Sequence, residues 1–147
     1  MYSNLYRHLH EVNFNQLVGK TLHEVIVSED KATIKFITDA GETFFMYHNQ
    51  DCCEGVKVED ICGDLGNLIG LPILTASEVT NKEKPEADRE DRDGFYDVTC
   101  TWTFYTLATN RGSVTIRWYG SSNGAYSERV SFANITEDEN GAKGRRG

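Results

Sequence analysis

The sequence is short of the features that most readily declare a function. No apolar run approaches the roughly 20 residues that a helical membrane span needs, so no membrane is expected among its partners. The N-terminal stretch MYSNLYRHLHEVNF lacks a basic segment followed by an apolar one, so no secretory leader of the usual kind is expected. Basic residues are the minority: 15 Lys and Arg stand against 23 Asp and Glu, a formal charge of −8. Binding to duplex nucleic acid rests on neutralising phosphates with cations, so that partner class is disfavoured. The excess of acid is compatible with plain solubility or with an acidic surface that docks on a basic protein. Cysteine is sparse and unpatterned. Cys52, Cys53, Cys62 and Cys100 do not form a secreted disulfide framework, and the adjacent pair is not expected to bridge, so free thiols in a cytosolic protein are expected. There are no internal repeats, and no Gly-rich loop leads into a helix as a phosphate-binding loop would.

What is there is β structure. Residues 99–132 read as three consecutive antiparallel strands: Cys100, Trp102 and Phe104 alternate with threonines and Tyr105, and Val114, Ile116 and Trp118 alternate with Ser113, Thr115, Arg117 and Tyr119. The two tryptophan-bearing sets are expected to face the core, leaving threonines, Tyr105, Tyr119, Arg117 and Arg129 on the other side. Upstream, residues 21–28, 32–38 and 42–48 form strands separated by turn residues, an N-terminal meander. Asn13 is placed to cap a short helix reaching Leu17 and stopped by Gly19. The Gly-rich stretch 49–74 reads as irregular chain with a short helix near 61–69, and a strand follows from 73 to 80. Residues 81–94 are densely charged and read as a solvated loop. The expectation is one α+β domain over residues 1–135, mainly antiparallel β, with seven to eight short strands and one or two short helices. Residues 1–12 form a possible helical arm, and residues 136–147 a disordered tail.

Three constellations could carry chemistry. His48, Cys52, Cys53 and Cys62 have ligand chemistry suited to zinc, but adjacent cysteines followed by one nine residues on is not a zinc-knuckle spacing, so no metal and no cofactor is assigned. The same loop read as a thiol nucleophile with His48 as base would make an enzyme, and the acids Asp51, Glu54, Glu59, Asp60 and Asp64 near it are as readily explained as solvated loop residues. The third is the polar sheet face. Arg117 and Arg129 beside Tyr105, Tyr119 and Thr103, with Ser121 and Asn123 at the following turn, would suit an anionic, ring-bearing ligand, since guanidinium groups bind phosphate bidentately and stack on aromatic rings. A solvated outer face with cross-strand pairs, Arg117 with Glu128 for instance, explains the same residues without a ligand.

The segments LVGKTL (17–22), MYHNQDCCEGVKVEDICGD (46–64), LIGLPI (68–73) and TWTFYTLATNRGSVTIRWYGSSNGAYSERVSF (101–132) together resemble a family of small uncharacterised proteins recurrent in tailed-bacteriophage genomes. The resemblance carries no catalytic residue. It implies a small accessory protein acting in the cytoplasm of an infected bacterium, and so a non-enzymatic binder that blocks a host defence component. Two forms of that reading follow: sequestration of a small nucleotide-like immune signal, or direct docking of an acidic inhibitor on a host protein such as a nuclease complex. A homodimer is compatible with either.

Overall fold

The structure, a computed structural model, describes residues 9–83, 99–123 and 126–135. The first eight residues of the expected arm, most of the charged loop, Gly124, Ala125 and the tail from residue 136 lie outside the described residues. In chain order the strands are β1 (Leu9–Glu11), β2 (Leu22–Val27), β3 (Thr33–Thr38), β4 (Thr43–Tyr47), β5 (Gly55–Cys62), β6 (Thr75–Glu83), β7 (Thr99–Thr109), β8 (Gly112–Ser122) and β9 (Ser131–Ile135). They make two antiparallel sheets, of order β1-β9-β4-β3-β2 and β5-β8-β7-β6.

The N-terminal meander forms where the alternation places it. Ile34 and Phe36 of β3 are fully buried, and their strand neighbours are more open. Gly41 takes the left-handed conformation that the β3–β4 turn requires, with φ 91°, and the Thr38 hydroxyl accepts the Glu42 N–H beside it. Inward residues of both sheets meet in one core: Ile34, Phe36, Phe44, Met46 and Phe132 from the first, Val58, Tyr105, Leu107, Ile116 and Trp118 from the second. Phe14 plugs the space between them, its ring 4.7 Å from Tyr105 and 5.1 Å from Phe132.

Helical content departs from the α+β expectation. Among the described residues there is no α-helix, only two single-turn 3-10 segments, Phe14–Leu17 and Leu65–Leu68. Asn13 precedes the first, but its side chain makes no cap hydrogen bond. The second begins where the Asp64 carboxylate accepts the Gly66 N–H. Leu9–Glu11, at the end of the expected arm, is strand paired with β9, and β6 runs on to Glu83. The Gly-rich stretch read as irregular contains a full edge strand, β5, with a bulge between Val58 and Asp60.

Two corrections concern the C-terminal strands. The third strand does not stay beside β8: residues 127–130 are a strap, and β9 lies in the other sheet between β1 and β4. The faces of β7 are also opposite to expectation. A two-residue turn at Asn110 and Arg111 sets Thr109 against Gly112, which pairs Leu107 with Val114, Tyr105 with Ile116 and Thr103 with Trp118. Directly paired antiparallel residues point to the same side, so when Val114, Ile116 and Trp118 go inward, Thr103, Tyr105 and Leu107 go with them. Trp102 and Phe104 are therefore on the outside. Trp118 is where its pattern puts it, fully buried, with its indole N–H donating to Met46 Sδ at 3.0 Å.

Candidate binding surfaces

The outer face of the second sheet carries an aromatic platform. Pairing aligns Asp60, Arg117, Phe104 and Val79 in one row across β5, β8, β7 and β6, and Tyr119, Trp102 and Asn81 in the next. The Trp102 and Phe104 rings lie side by side, centroids 6.3 Å apart and 24° from coplanar, and Tyr119 leans on Trp102 at 4.8 Å. Val79 extends the apolar surface at 56% exposure. The Arg117 guanidinium lies over Trp102, 5.4 Å from the ring centroid, and grips Asp60 with two bonds, Nε to Oδ1 at 2.6 Å and Nη2 to Oδ2 at 2.5 Å. That hydrogen-bonded pair holds the Asp60 carboxyl below its ordinary value and Arg117 above its own.

The residues expected to share one ligand face are thus divided. Arg117, Tyr119 and Ser121 are on the outer side of β8, and Asn123 is exposed just past its end. Tyr105 is fully buried on the inner side, its hydroxyl donating to Glu78 Oε2 at 3.3 Å; burial and that carboxylate push the phenol well above its ordinary range. Thr103 is also inside, and Arg129, on the strap, opens onto the same cavity as Thr103. The expected cross-strand pairing fails as well: Arg117 holds Asp60, and Arg129 donates to Glu11 at 2.5 Å and to the Ser131 hydroxyl at 3.2 Å.

The strap is fastened by a buried carboxylate, that of Glu128, which the sequence had suggested as a partner for Arg117 on a solvated face. Glu128 Oε1 accepts the Thr101 hydroxyl at 2.6 Å, and Oε2 accepts those of Thr99 and Ser122, each at 2.5 Å. Burial raises the Glu128 pKa, but the three hydroxyl donors and Lys82 outweigh it and hold the carboxyl below its ordinary value. Gly120 makes room for the strap: a Cβ there would lie 3.0 Å from both Glu128 Cβ and Val56 Cγ2.

The loop after β4 is built round a second buried carboxylate. Glu54 Oε2 lies 2.7 Å from His48 Nε2 and accepts the Asp51 N–H at 2.7 Å, while Oε1 accepts the Cys52 N–H at 2.9 Å. Burial raises the Glu54 pKa, yet the His48 and backbone donors dominate and bring it down to about 2. His48 Nδ1 faces the Arg129 carbonyl at 2.7 Å, so both ring nitrogens are engaged. Among the described residues no three His, Cys, Asp or Glu side chains converge as a metal site would require. The free-thiol expectation is corrected for Cys52 and Cys53. The chain bends there instead of extending, and the two sulfurs are joined, leaving Cys62 and Cys100 free. No thiol at 52 or 53 faces an unengaged imidazole.

Fold and surfaces define a two-sheet antiparallel β protein with an aromatic outer platform and a polar cleft. Residues 15–132 match the model of a domain of unknown function, DUF7448, and the chain belongs to that family. No curated protein and no solved structure shows a significant match to it. Among the described residues no helix is long and apolar enough to cross a membrane.

Proposed function

We propose that the protein is a non-enzymatic binder that blocks a bacterial host component by docking directly on a host protein, as an accessory protein of a bacteriophage. The observation that carries this reading is the platform of Trp102, Phe104 and Tyr119, half-buried on the outer side of the second sheet, with Arg117 lying over Trp102. Large aromatic side chains gathered on the outer face of a sheet suit an interaction surface, and Trp, Tyr and Arg are the residues that dominate binding energy at such surfaces. The formal charge of −8 favours a partner with a basic rim around an apolar centre. Sequestration of a nucleotide-like signal on this face is less well supported, because the Asp60 carboxylate already occupies two Arg117 donors and Arg129 lies elsewhere.

The test is capture from host lysate on immobilised wild-type chain and on Phe104→Glu, with thermal melts to verify that the variant folds. A host protein retained by the wild type, weakened by salt and lost with the folded variant, supports the reading. Identical capture by both chains overturns it.

A further inference from the structure

Between the sheets, where β7 begins and β8 ends, the apolar core gives way to a cleft of about 410 Å³. Its floor is the inner face of β7, where Thr101 and Thr103 replace the aromatic and aliphatic residues found further along the strand. Glu78, Thr80 and Lys82 of β6 form one wall, and the strap closes the other with Glu128 and Arg129. Glu128 already accepts three hydroxyl donors, two on Oε2 and one on Oε1. Thr103 is different: it is 2% exposed, and its hydroxyl has no hydrogen-bond partner among the described residues. Leaving a buried hydroxyl unpaired costs about 1–3 kcal/mol, so such a group calls for an explanation, and here it opens onto a cavity with two cationic side chains at its border.

We propose that this cleft binds a phosphorylated sugar, free or as part of a nucleotide. Arg129 spends one donor on Glu11 and one on Ser131, and its remaining N–H groups, with the exposed Lys82 ammonium, supply the charge for a phosphate. The Glu78 carboxylate and the Thr103 hydroxyl supply an acceptor and a donor–acceptor for sugar hydroxyls. Two carboxylates beside two cations disfavour a bare polyanion and favour a ligand that combines one charged end with neutral hydroxyls. The site is on the opposite side of the sheet from the aromatic platform and does not depend on it.

Calorimetric titration of the full chain with ribose 5-phosphate, adenosine 5′-monophosphate and inorganic phosphate tests the proposal. The two sugar phosphates are expected to bind at least tenfold more tightly than phosphate alone, and the ratio between them tells a free sugar phosphate from a nucleotide. Thr103→Val keeps the shape of the side chain and removes the hydroxyl, and it is expected to weaken sugar-phosphate binding at least fivefold while leaving the melting temperature unchanged or higher. Lys82→Gln is expected to weaken it further at low salt. No heat with any of the three probes, phosphate bound as well as its sugar esters, or binding untouched by both substitutions would overturn the proposal.

Discussion

His48 Nε2 and Glu54 Oε2 are 2.7 Å apart with both side chains sealed from solvent, and the other imidazole nitrogen faces the carbonyl oxygen of Arg129. A carbonyl can only accept, so Nδ1 is placed to donate to it, while Nε2 faces the Glu54 carboxylate. This pair ties the loop after β4 to the strap, two segments 81 residues apart. Removing one partner from a buried pair leaves the other uncompensated, so Glu54→Ala is expected to cost about 3–5 kcal/mol in chemical denaturation.

The same carboxylate sets an acid limit. Its folded pKa of about 2 lies below the ordinary value of 4.5, so the native state binds fewer protons than the unfolded chain. Its contribution is therefore complete above the ordinary carboxylate range and is lost as pH falls from about 5 towards 2. Urea midpoints measured across that window should drop for the wild type, with a shallower slope for Glu54→Gln. Equal slopes would remove Glu54 as the cause.

Trp102 and Trp118 should be distinguishable in solution. Trp118 is sealed in the core and Trp102 sits on the outer platform, so acrylamide should quench only part of the fluorescence. Trp102→Phe should abolish the quenchable fraction with little change in melting temperature. Trp118→Phe should leave that fraction and cost about 3 kcal/mol, as large-to-small core changes do. The reverse pattern would mean that the β7 faces are assigned the wrong way round.

That assignment is also where legibility in the sequence failed, and the signal was present. Ending the first strand at Tyr105 leaves Cys100, Trp102 and Phe104 as its most apolar set, whereas running it to Thr109 adds Leu107 to the Tyr105 set. The turn at Asn110 and Arg111 then forces the odd-numbered residues to share a side with Val114, Ile116 and Trp118. The meander of β2, β3 and β4 was readable because alternation and turn residues agree there. β5 was not, since its bulge breaks the period of two and the glycines that follow it made the whole stretch read as irregular. The division of Arg117 from Arg129 depends on β9 crossing to the other sheet, a long-range choice that no local pattern records. Glu54 looked like one more solvated loop acid because its donors, His48 and the Asp51 and Cys52 N–H groups, converge on it only when the loop folds back on itself, and Glu128 looked like a partner for Arg117 because two of its hydroxyl donors come from β7.

Gly120 is the point where the strap comes closest to the sheet. Alanine there would press its methyl against Glu128 Cβ and Val56 Cγ2 at 3.0 Å, and against the Glu128 carbonyl oxygen at 3.1 Å. Two of these three contacts are with the strap itself, which must then rise. Overpacking of this kind costs about 1–3 kcal/mol, or roughly 2–12 °C of melting temperature for a chain of this size. Calorimetry on Gly120→Ala should show that loss. An unchanged melting temperature would mean that the strap does not rest on β8.

Thr101 reports on the same junction from the other side. Its hydroxyl donates to Glu128 Oε1, and burial would favour the neutral acid were it not for this donor and its two companions. Thr101→Val removes one charge-assisted bond with little change in shape, at an expected cost of about 1.5–3 kcal/mol. It should also raise the Glu128 pKa, because the charged form loses a donor and desolvation stays. The stability that Glu128 adds above the ordinary carboxylate range would then be smaller, and its loss on acidification would be complete at a higher pH, because that loss starts at the unfolded-state value in both chains and ends at the folded one. Comparing the pH dependence of unfolding in wild type and Thr101→Val separates this from a packing defect, which would set the variant's curve below that of the wild type by the same amount at every pH.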